Sequence, residues 1–249
     1  MESLRCDGLC KSFDGTRALA DVSLRFPSSG IIAIIGPNGA GKTTLLNVLT
    51  GFLRPDAGQC FLGEQNITRL SPHRIAGLGM VRTFQDLRLI LQVSALENVL
   101  LARPHQQGER LWAALLGTRV AAEENRNRQE AMRLLRFVGL EELALGLAGD
   151  LSYGQQKLLT LACCLATEAR ILLLDEPVAG VHPEMTSNVL DLLRQLRENG
   201  KLVVFIEHDI AAVRQAADLV VVMDAGRVIA QGAPHDVLER PEIMEAYLA

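Results

Sequence analysis

The sequence predicts an α/β fold with a mostly parallel sheet, an antiparallel sheet near the N-terminus and a helical subdomain inserted into the core. The first observation is a set of short, continuous apolar runs, such as Ile31–Ile35 and Leu219–Met223, which are typical of buried parallel strands. The second is the alternation of apolar and polar residues over Val22–Phe26, which is typical of a half-buried antiparallel strand. The third is a charged, helix-forming stretch from residue 86 to about 150. The 249 residues suffice for one large domain of this kind.

Composition and charge argue against several other classes of protein. Apolar residues make up 49% of the chain and no low-complexity tract or fixed-period repeat is present, so we do not expect disorder. The apolar runs are far short of the ~20 residues of a membrane-spanning helix, and no secretory signal is visible. The net charge of −4 gives no reason to expect nucleic acid as a partner. The cysteines form no C-x-x-C pair, which favours free thiols in a reducing cytoplasm; they are Cys6, Cys10, Cys60, Cys163 and Cys164.

An aromatic residue, Phe13, lies ahead of the alternating stretch Val22–Phe26 and of the strand that leads into a glycine-rich loop. If the ring is exposed, it could stack on the adenine of a nucleotide bound at the loop that follows. The alternative is a ring that fills the underside of a small sheet.

A glycine-rich loop between the apolar run Ile31–Ile35 and the leucine-rich stretch Thr43–Leu49 has the spacing G-x-x-x-x-G-K-T of a phosphate-binding loop. Glycines let successive backbone N–H groups turn toward phosphate oxygens, and the next helix points its positive end at them. Lys42 would then reach the β- and γ-phosphates of a nucleotide, and the Thr43 hydroxyl would ligate Mg²⁺. The alternative is a glycine-rich turn that contains Lys-Thr by chance. The nucleotide-binding residues predicted here are Gly36, Pro37, Asn38, Gly39, Ala40, Gly41, Lys42, Thr43 and Thr44.

Short elements follow the loop. A turn at 56–58 precedes a short strand over Gln59–Leu62, and Ser71-Pro72 opens a short helix that ends near Gly77. The apolar stretch from Met80 returns to the core and ends on Gln85, our candidate for the residue that senses Mg²⁺ and nucleotide. Taken alone, Gln85 would be an ordinary glutamine at a strand end.

The inserted region begins with Ser94-Ala95-Leu96-Glu97, a capping box that opens a helix. A second helix over Glu123–Val138 carries an apolar face and ends at Gly139. Its other face mixes glutamates with arginines, which favours a solvated surface over a nucleic-acid patch.

A third motif, L-S-Y-G-Q-Q at residues 151–156, opens an apolar helix. Read alone, Ser152 is a helix N-cap. One helix later, two acids follow the apolar strand Ile171–Leu174, at the strand end where ligands of open α/β sheets bind. Asp175 could hold Mg²⁺, and Glu176 could polarise a water for attack on the γ-phosphate; helix capping is the alternative for both.

The last part of the chain predicts a helix over 184–199, a strand over Leu202–Ile206 and a hairpin turn at Asp224-Ala225-Gly226. His208 follows that strand, and there it could donate a hydrogen bond to the γ-phosphate. A histidine in this position is otherwise usually structural.

These motifs together resemble the ATP-binding-cassette ATPases, with which the chain shares their order over essentially its whole length. More narrowly, the chain is similar to the branched-chain amino-acid and urea-type importers. The residues that carry this likeness are Arg74-Ile75-Ala76-x-x-Gly79, Arg82-Thr83-Phe84-Gln85, the signature at 151–156 and Glu176-Pro177-Val178-Ala179-Gly180. The resemblance implies one cassette domain over 1–249, with a P-loop NTPase core at 1–85 and 157–249 and a helical subdomain at 86–156.

The resemblance also implies partners. Two ATPase subunits, identical or not, would associate head to tail, so that each ATP lies between one phosphate loop and the partner's Ser152, Gly154 and Gln155. The dimer would sit on the cytoplasmic face of the inner membrane against permease subunits that an extracytoplasmic substrate-binding protein feeds. The chain departs from the wider family in Tyr153, which replaces a signature glycine, and in His182, where the family usually has Asp or Asn.

The leading hypothesis is the ATP-hydrolysing subunit of an importer for branched-chain amino acids or a related small polar solute. His182 motivates one alternative, an ATP-gated dimerising subunit with weak hydrolysis. The other alternative is the ATPase of a lipid-type exporter.

Overall fold

The computed structural model describes residues 2–84, 87–104, 117–241 and 243, and the chain forms two compact units. The first unit comprises residues 1–82, 170–179 and 183–249, and the second comprises 83–169 and 180–182. The strands are β1 (Glu2–Phe13), β2 (Thr16–Pro27), β3 (Gly30–Ile35), β4 (Ala57–Leu62), β5 (Gln65–Asn66), β6 (Met80–Arg82), β7 (Ile171–Asp175), β8 (Leu202–Ile206), β9 (Leu219–Asp224) and β10 (Arg227–Gly232). The helices are α1 (Lys42–Leu49), α2 (Pro72–Gly77), α3 (Ala95–Leu101), α4 (Gly117–Phe137), α5 (Tyr153–Ala166), α6 (Pro183–Glu198), α7 (Ile210–Ala216) and α8 (Pro234–Leu238).

The first unit is built on a six-stranded sheet in the order β10-β9-β3-β8-β7-β6. Every neighbouring pair is parallel except β9 and β10, which form a hairpin. All side chains of β7 and β8 are buried, which explains why these strands read as continuous apolar runs. The predicted mostly parallel sheet is therefore confirmed.

The same unit contains a four-stranded antiparallel sheet in the order β2-β1-β4-β5. On β2, the side chains of Val22, Leu24 and Phe26 are buried and those between them are exposed, as their alternation predicts. Cys6 of β1 and Cys60 of β4 lie opposite each other in this sheet. All five cysteines are free thiols, and burial raises the pKa of Cys6 and Cys60 to about 12.

The second unit is helical, with α3, α4 and α5 packed against one another. Ser94 and Glu97 form the predicted capping box at the start of α3. Gly139 follows α4 with φ +74, the left-handed conformation that often ends a helix. Among the helices of the described residues, none is long and apolar enough to cross a membrane.

The boundary between the units differs from the sequence-based one. The sequence predicts that the α/β core resumes at residue 157, which lies inside α5. Because α5 packs on α3 and α4, it stays whole in the second unit, and the first unit resumes at Arg170.

The hairpin between β9 and β10 has the turn that its residues favour. Asp224 pairs with Arg227, and the two residues between them have positive φ, 44 at Ala225 and 77 at Gly226. Positive φ at both central positions is the mark of a type I′ turn, which matches the twist of the strands.

Candidate functional site

The glycine-rich loop connects β3 to α1 and is fitted closely to its neighbours. Gly36 has φ +152, and a Cβ atom there would lie 2.0 Å from the Met223 carbonyl oxygen. At Gly41, with φ +97, a Cβ atom would lie 2.3 Å from the Ala18 carbonyl oxygen. These two positions therefore require glycine for both conformation and space. The loop is held as a cradle ahead of a helix N-terminus, whose first N–H groups have no partner within the helix.

Lys42, the first residue of α1, folds back over this loop. Its Nζ donates to the carbonyl oxygens of Gly36 at 2.7 Å and Pro37 at 2.9 Å, and the residue is buried. Burial lowers the pKa of the Lys42 ammonium from its ordinary value, and the carboxylates of Glu176 and Asp175 oppose that shift. The lysine thus lies at the loop with both acids near it.

Asp175 ends β7 and is buried in an ion pair. Its Oδ2 accepts a hydrogen bond of 2.6 Å from Arg82 Nη2, and the two side chains are 5% and 3% exposed. Arg82 Nη1 also donates to Asn47 Oδ1 on α1 at 2.5 Å. Arg82 therefore connects the acidic strand end, the strand β6 and the helix that follows the phosphate loop.

Glu176 and His208 lie at the carboxyl ends of neighbouring strands. The parallel pairing of β7 with β8 sets Asp175 opposite Ile206, so the residues that follow each strand meet at one edge of the sheet. His208 Nε2 lies 3.5 Å from Glu176 Oε1, an ion pair when the imidazole is protonated. Glu176 has φ +50, which is uncommon for a residue with a side chain.

The oxygen donors at this edge suit Mg²⁺. Thr43, in the first turn of α1, is exposed and offers a hydroxyl, and Asp175 offers a carboxylate. Mg²⁺ prefers such hard oxygen ligands and commonly takes only one or two from the protein, beside water and phosphate.

Phe13, at the end of β1, is 45% exposed. Lys11 Nζ lies 5.6 Å from the centre of its ring and donates to Asp56 Oδ1 at 2.7 Å. The ring is therefore not buried beneath the sheet, the alternative that its sequence position left open.

In the second unit, Ser152 is the N-cap of α5. Its Oγ accepts from Gln155 N at 3.3 Å, and Gln155 Oε1 accepts from Ser152 N at 2.9 Å, which makes a second capping box. Gly154 lies in the first turn. Tyr153 is 48% exposed, and a Cβ at Gly180 would lie 3.2 Å from its ring. His182 also belongs to this unit, and Gln85 lies outside the described residues.

Two residues of this region were not among the predicted site residues. Arg82 is the last residue of the short strand β6, and Glu207 directly follows the apolar strand β8; both are buried. A charged residue at the end of an apolar run was the available signal, because such residues are rarely buried without a partner.

Comparison with known proteins gives the family. The family model for the ABC transporter matches residues 19–179. The chain is 40% identical over 247 residues to the high-affinity branched-chain amino acid transport ATP-binding protein BraF of Pseudomonas aeruginosa, covering 98% of this chain and 97% of that one. Among solved structures it is similar to the ADP conformation of MJ1267, an ATP-binding cassette of an ABC transporter, with a TM-score of 0.87, 34% identity, and 100% and 99% of the two chains covered. It is also similar to a dimeric, post-hydrolysis cassette bound to ADP and Pi, MJ0796, with a TM-score of 0.78, 25% identity, and 93% and 98% covered. The chain therefore belongs to the ABC transporter family.

Proposed function

We propose that the chain is the ATP-hydrolysing subunit of an importer for branched-chain amino acids or a related small polar solute. The proposal of ATP hydrolysis depends on one observation: Glu176 Oε1 and His208 Nε2 lie 3.5 Å apart at the carboxyl ends of two neighbouring strands. The acids lie close enough to Lys42 to influence its pKa. The importer and its solute are supported by the name of BraF, which matches the chain over nearly its whole length.

In this proposal the loop from Gly36 to Thr44 binds the phosphates of ATP through its backbone N–H groups, and the exposed ring of Phe13 stacks on adenine. Lys42 already points its ammonium at the loop, where two carbonyl oxygens hold it. A phosphate in the cradle offers that ammonium stronger, charged acceptors. Lys42 would then bind the β- and γ-phosphates.

Thr43 and Asp175 would hold Mg²⁺, together with Gln85, which lies outside the described residues. An ion held by these residues would supply positive charge that offsets the negative charge of the transferred phosphoryl group. Arg82 holds one oxygen of the Asp175 carboxylate and so fixes its orientation.

Glu176 acts as the base that orients and polarises the attacking water. His208 donates a hydrogen bond to the γ-phosphate and also contacts Glu176. Both groups stand at the ends of strands in one rigid sheet, which holds their geometry with little cost in entropy.

The site is completed by a second ATPase subunit, associated head to tail. Ser152, Gly154 and Gln155 begin a helix of 14 residues, and a helix start offers N–H groups and a positive dipole to a phosphate. The similar MJ0796 cassette was solved as a dimer, which supports the proposal.

In this proposal the ATPase dimer lies at the cytoplasmic face of the inner membrane, against a permease. An apolar patch on the second unit supports the presence of such a protein partner. The segment at 90–95 runs beside 144–149, joined by bonds from Gly149 N to Leu91 O at 3.0 Å and from Ala148 N to Val93 O at 2.9 Å. Side chains on these two segments are exposed although apolar, an arrangement that marks protein-binding surfaces. The apolar patch consists of Ile90 (47% exposed), Leu91 (44%), Leu145 (75%) and Leu147 (46%).

The test measures the specific ATPase activity of the purified chain with Mg²⁺ at increasing protein concentrations. The Glu176→Gln variant is measured in the same way. We expect specific activity to rise with concentration, because a second subunit completes the site. In Glu176→Gln, ATP should still bind while turnover falls by a factor on the order of 10² or more. Unchanged turnover in that variant would refute the role of Glu176, and a wild-type chain that binds ATP without hydrolysing it would favour the gated subunit.

A further inference from the structure

Glu207 is a buried carboxylate for which the proposed mechanism has no use. It follows β8 directly, lies beside His208 in the chain and is 2% exposed. Its Oε1 accepts a hydrogen bond of 2.8 Å from the Val178 backbone N–H. Its Oε2 accepts one of 3.3 Å from the His208 backbone N–H. Burying a carboxylate costs free energy unless hydrogen bonds compensate, and both bonds are made to the segments that carry the hydrolytic residues.

The turn that begins at Glu176 has a strained backbone, and the hydrogen bonds to Glu207 can stabilise it. Glu176 adopts φ +50, a conformation that a residue with a side chain adopts at a cost. Pro177 follows it, and a proline disfavours helical backbone conformations in the residue before it, favouring extended ones instead. Strained conformations persist only where the surrounding contacts fix them.

Residues at the C-terminal end of β8 accept hydrogen bonds from backbone N–H groups at and after this strained residue. On one side, Glu176 N donates to the Ile206 carbonyl oxygen at 3.0 Å. On the other side, Val178 N donates to Glu207. The two acceptors come from consecutive residues, and the next residue is His208, whose Nε2 contacts the Glu176 carboxylate. One carboxylate thus holds the backbone of the turn and the backbone of His208.

We propose that Glu207 is a positioning residue for ATP hydrolysis. Its carboxylate keeps the turn at 176–178 closed against the end of β8, and this keeps the Glu176 side chain at its contact with His208. Glu207 touches no reacting atom and acts by fixing where Glu176 lies relative to His208. The proposal rests on the role of Glu176 in the proposed function.

The experiment compares Glu207→Met, Glu207→Gln and a control. Methionine fills a similar volume but accepts neither hydrogen bond, whereas glutamine keeps a carbonyl oxygen for the Val178 N–H. Asp218→Met is the control, since Asp218 Oδ2 also accepts from a backbone N–H, that of Ile31 at 2.8 Å, at the opposite end of the sheet. For each folded variant, the affinity for ATP and the single-turnover rate are measured with the partner subunit present.

We expect Glu207→Met to slow hydrolysis by about tenfold to 10²-fold, since small displacements of a reacting group cost this much. Its affinity for ATP should stay within about twofold, because the backbone N–H groups of Val178 and His208, which donate to Glu207, lie outside the phosphate loop. Glu207→Gln should recover most of the rate, and Asp218→Met should lower stability without slowing hydrolysis. If Glu207→Met does not fold, Glu207→Asp replaces it, with a smaller loss of at least about threefold expected from its shorter reach.

A double-mutant cycle separates positioning from a general structural effect. In a Glu176→Gln background, Glu207→Met should slow the residual reaction by less than about threefold, because the group it positions is gone. An equal slowing in both backgrounds, or a normal rate in Glu207→Met while Glu176→Gln is inactive, would overturn the inference alone. Normal hydrolysis in Glu176→Gln would instead refute the proposed function.

Discussion

Arg82 shows how a single residue can stabilise the fold and shape the site. Its guanidinium neutralises Asp175 in a place where both side chains are almost fully buried, at 3% and 5% exposure. A buried ion pair is a modest net gain when intact, but removing one partner leaves the other charge buried without the ion pair that compensates for its burial. Arg82 should therefore contribute far more to stability than the arginines of the surface.

We predict that Arg82→Met lowers the free energy of unfolding by about 3 kcal/mol or more. The matched control is Arg133→Met, which removes an exposed pair with Glu130 in which the arginine is 70% exposed; its loss should be below about 0.5 kcal/mol. Urea unfolding of both variants measures the difference. Equal losses would mean that the Asp175 carboxylate does not depend on Arg82.

The secondary structure around these residues can be predicted from the sequence, but their partners at distant positions of the chain can be predicted only in part. The strand that carries Asp175 is recognisable because its four apolar residues are contiguous. The partner of Asp175 is not, because Arg82 lies 93 positions away and only the β6–β7 pairing brings it near. Glu207 escapes prediction for the same reason, since its bond to Val178 spans 29 positions.

At the level of elements, α3 and α5 begin alike. The side chains of Ser94 and Ser152 each accept a hydrogen bond from the backbone N–H of the third helical residue. In return, the side chain of that residue accepts a hydrogen bond from the backbone N–H of the serine. The sequence predicts the box at Ser94 and the N-cap at Ser152, because both features involve residues only three apart. The proposed function gives only Ser152 a second role, toward ATP, so the two helices form a natural comparison.

We predict that Ser94→Ala and Ser152→Ala each lower the free energy of unfolding by about 1 kcal/mol, since each removes an N-cap. Only Ser152→Ala should also slow ATP hydrolysis, by a factor on the order of 10², the usual cost of losing one donor to the transition state. Thermal unfolding and steady-state ATPase assays of the two variants are the measurements. If Ser152→Ala hydrolyses ATP as fast as Ser94→Ala, the serine is a cap alone.

For the molecule as a whole, the sequence predicts the kinds of structure better than their arrangement. The parallel sheet, the antiparallel sheet and the helical insert are all present. The order of the strands is beyond local patterns, because β3 pairs with β8 and β9 from the far end of the chain. The domain boundary shifts since periodicity identifies α5 as a helix but does not say which helices it packs against.

The apolar patch also belongs to this scale, because exposure depends on the folded unit rather than on the local sequence. Leu145 and Leu147 read as core residues in a sequence, yet they are 75% and 46% exposed. We predict that Leu145→Asp with Leu147→Asp leaves ATP binding intact but abolishes association with the permease, since charge in an apolar interface must be desolvated. Co-purification with the permease and solute uptake in cells measure this effect.

The control for the patch is Ile229→Asp, because Ile229 is also apolar and 49% exposed but lies on β10 of the first unit. This variant should co-purify with the permease as the wild type does. If Ile229→Asp loses the permease and the patch variant keeps it, the docking surface lies on the first unit. Loss in the patch variant alone would assign permease contact to the helical unit, which also carries the Ser152 signature, so one small unit would serve both the membrane partner and the second ATPase.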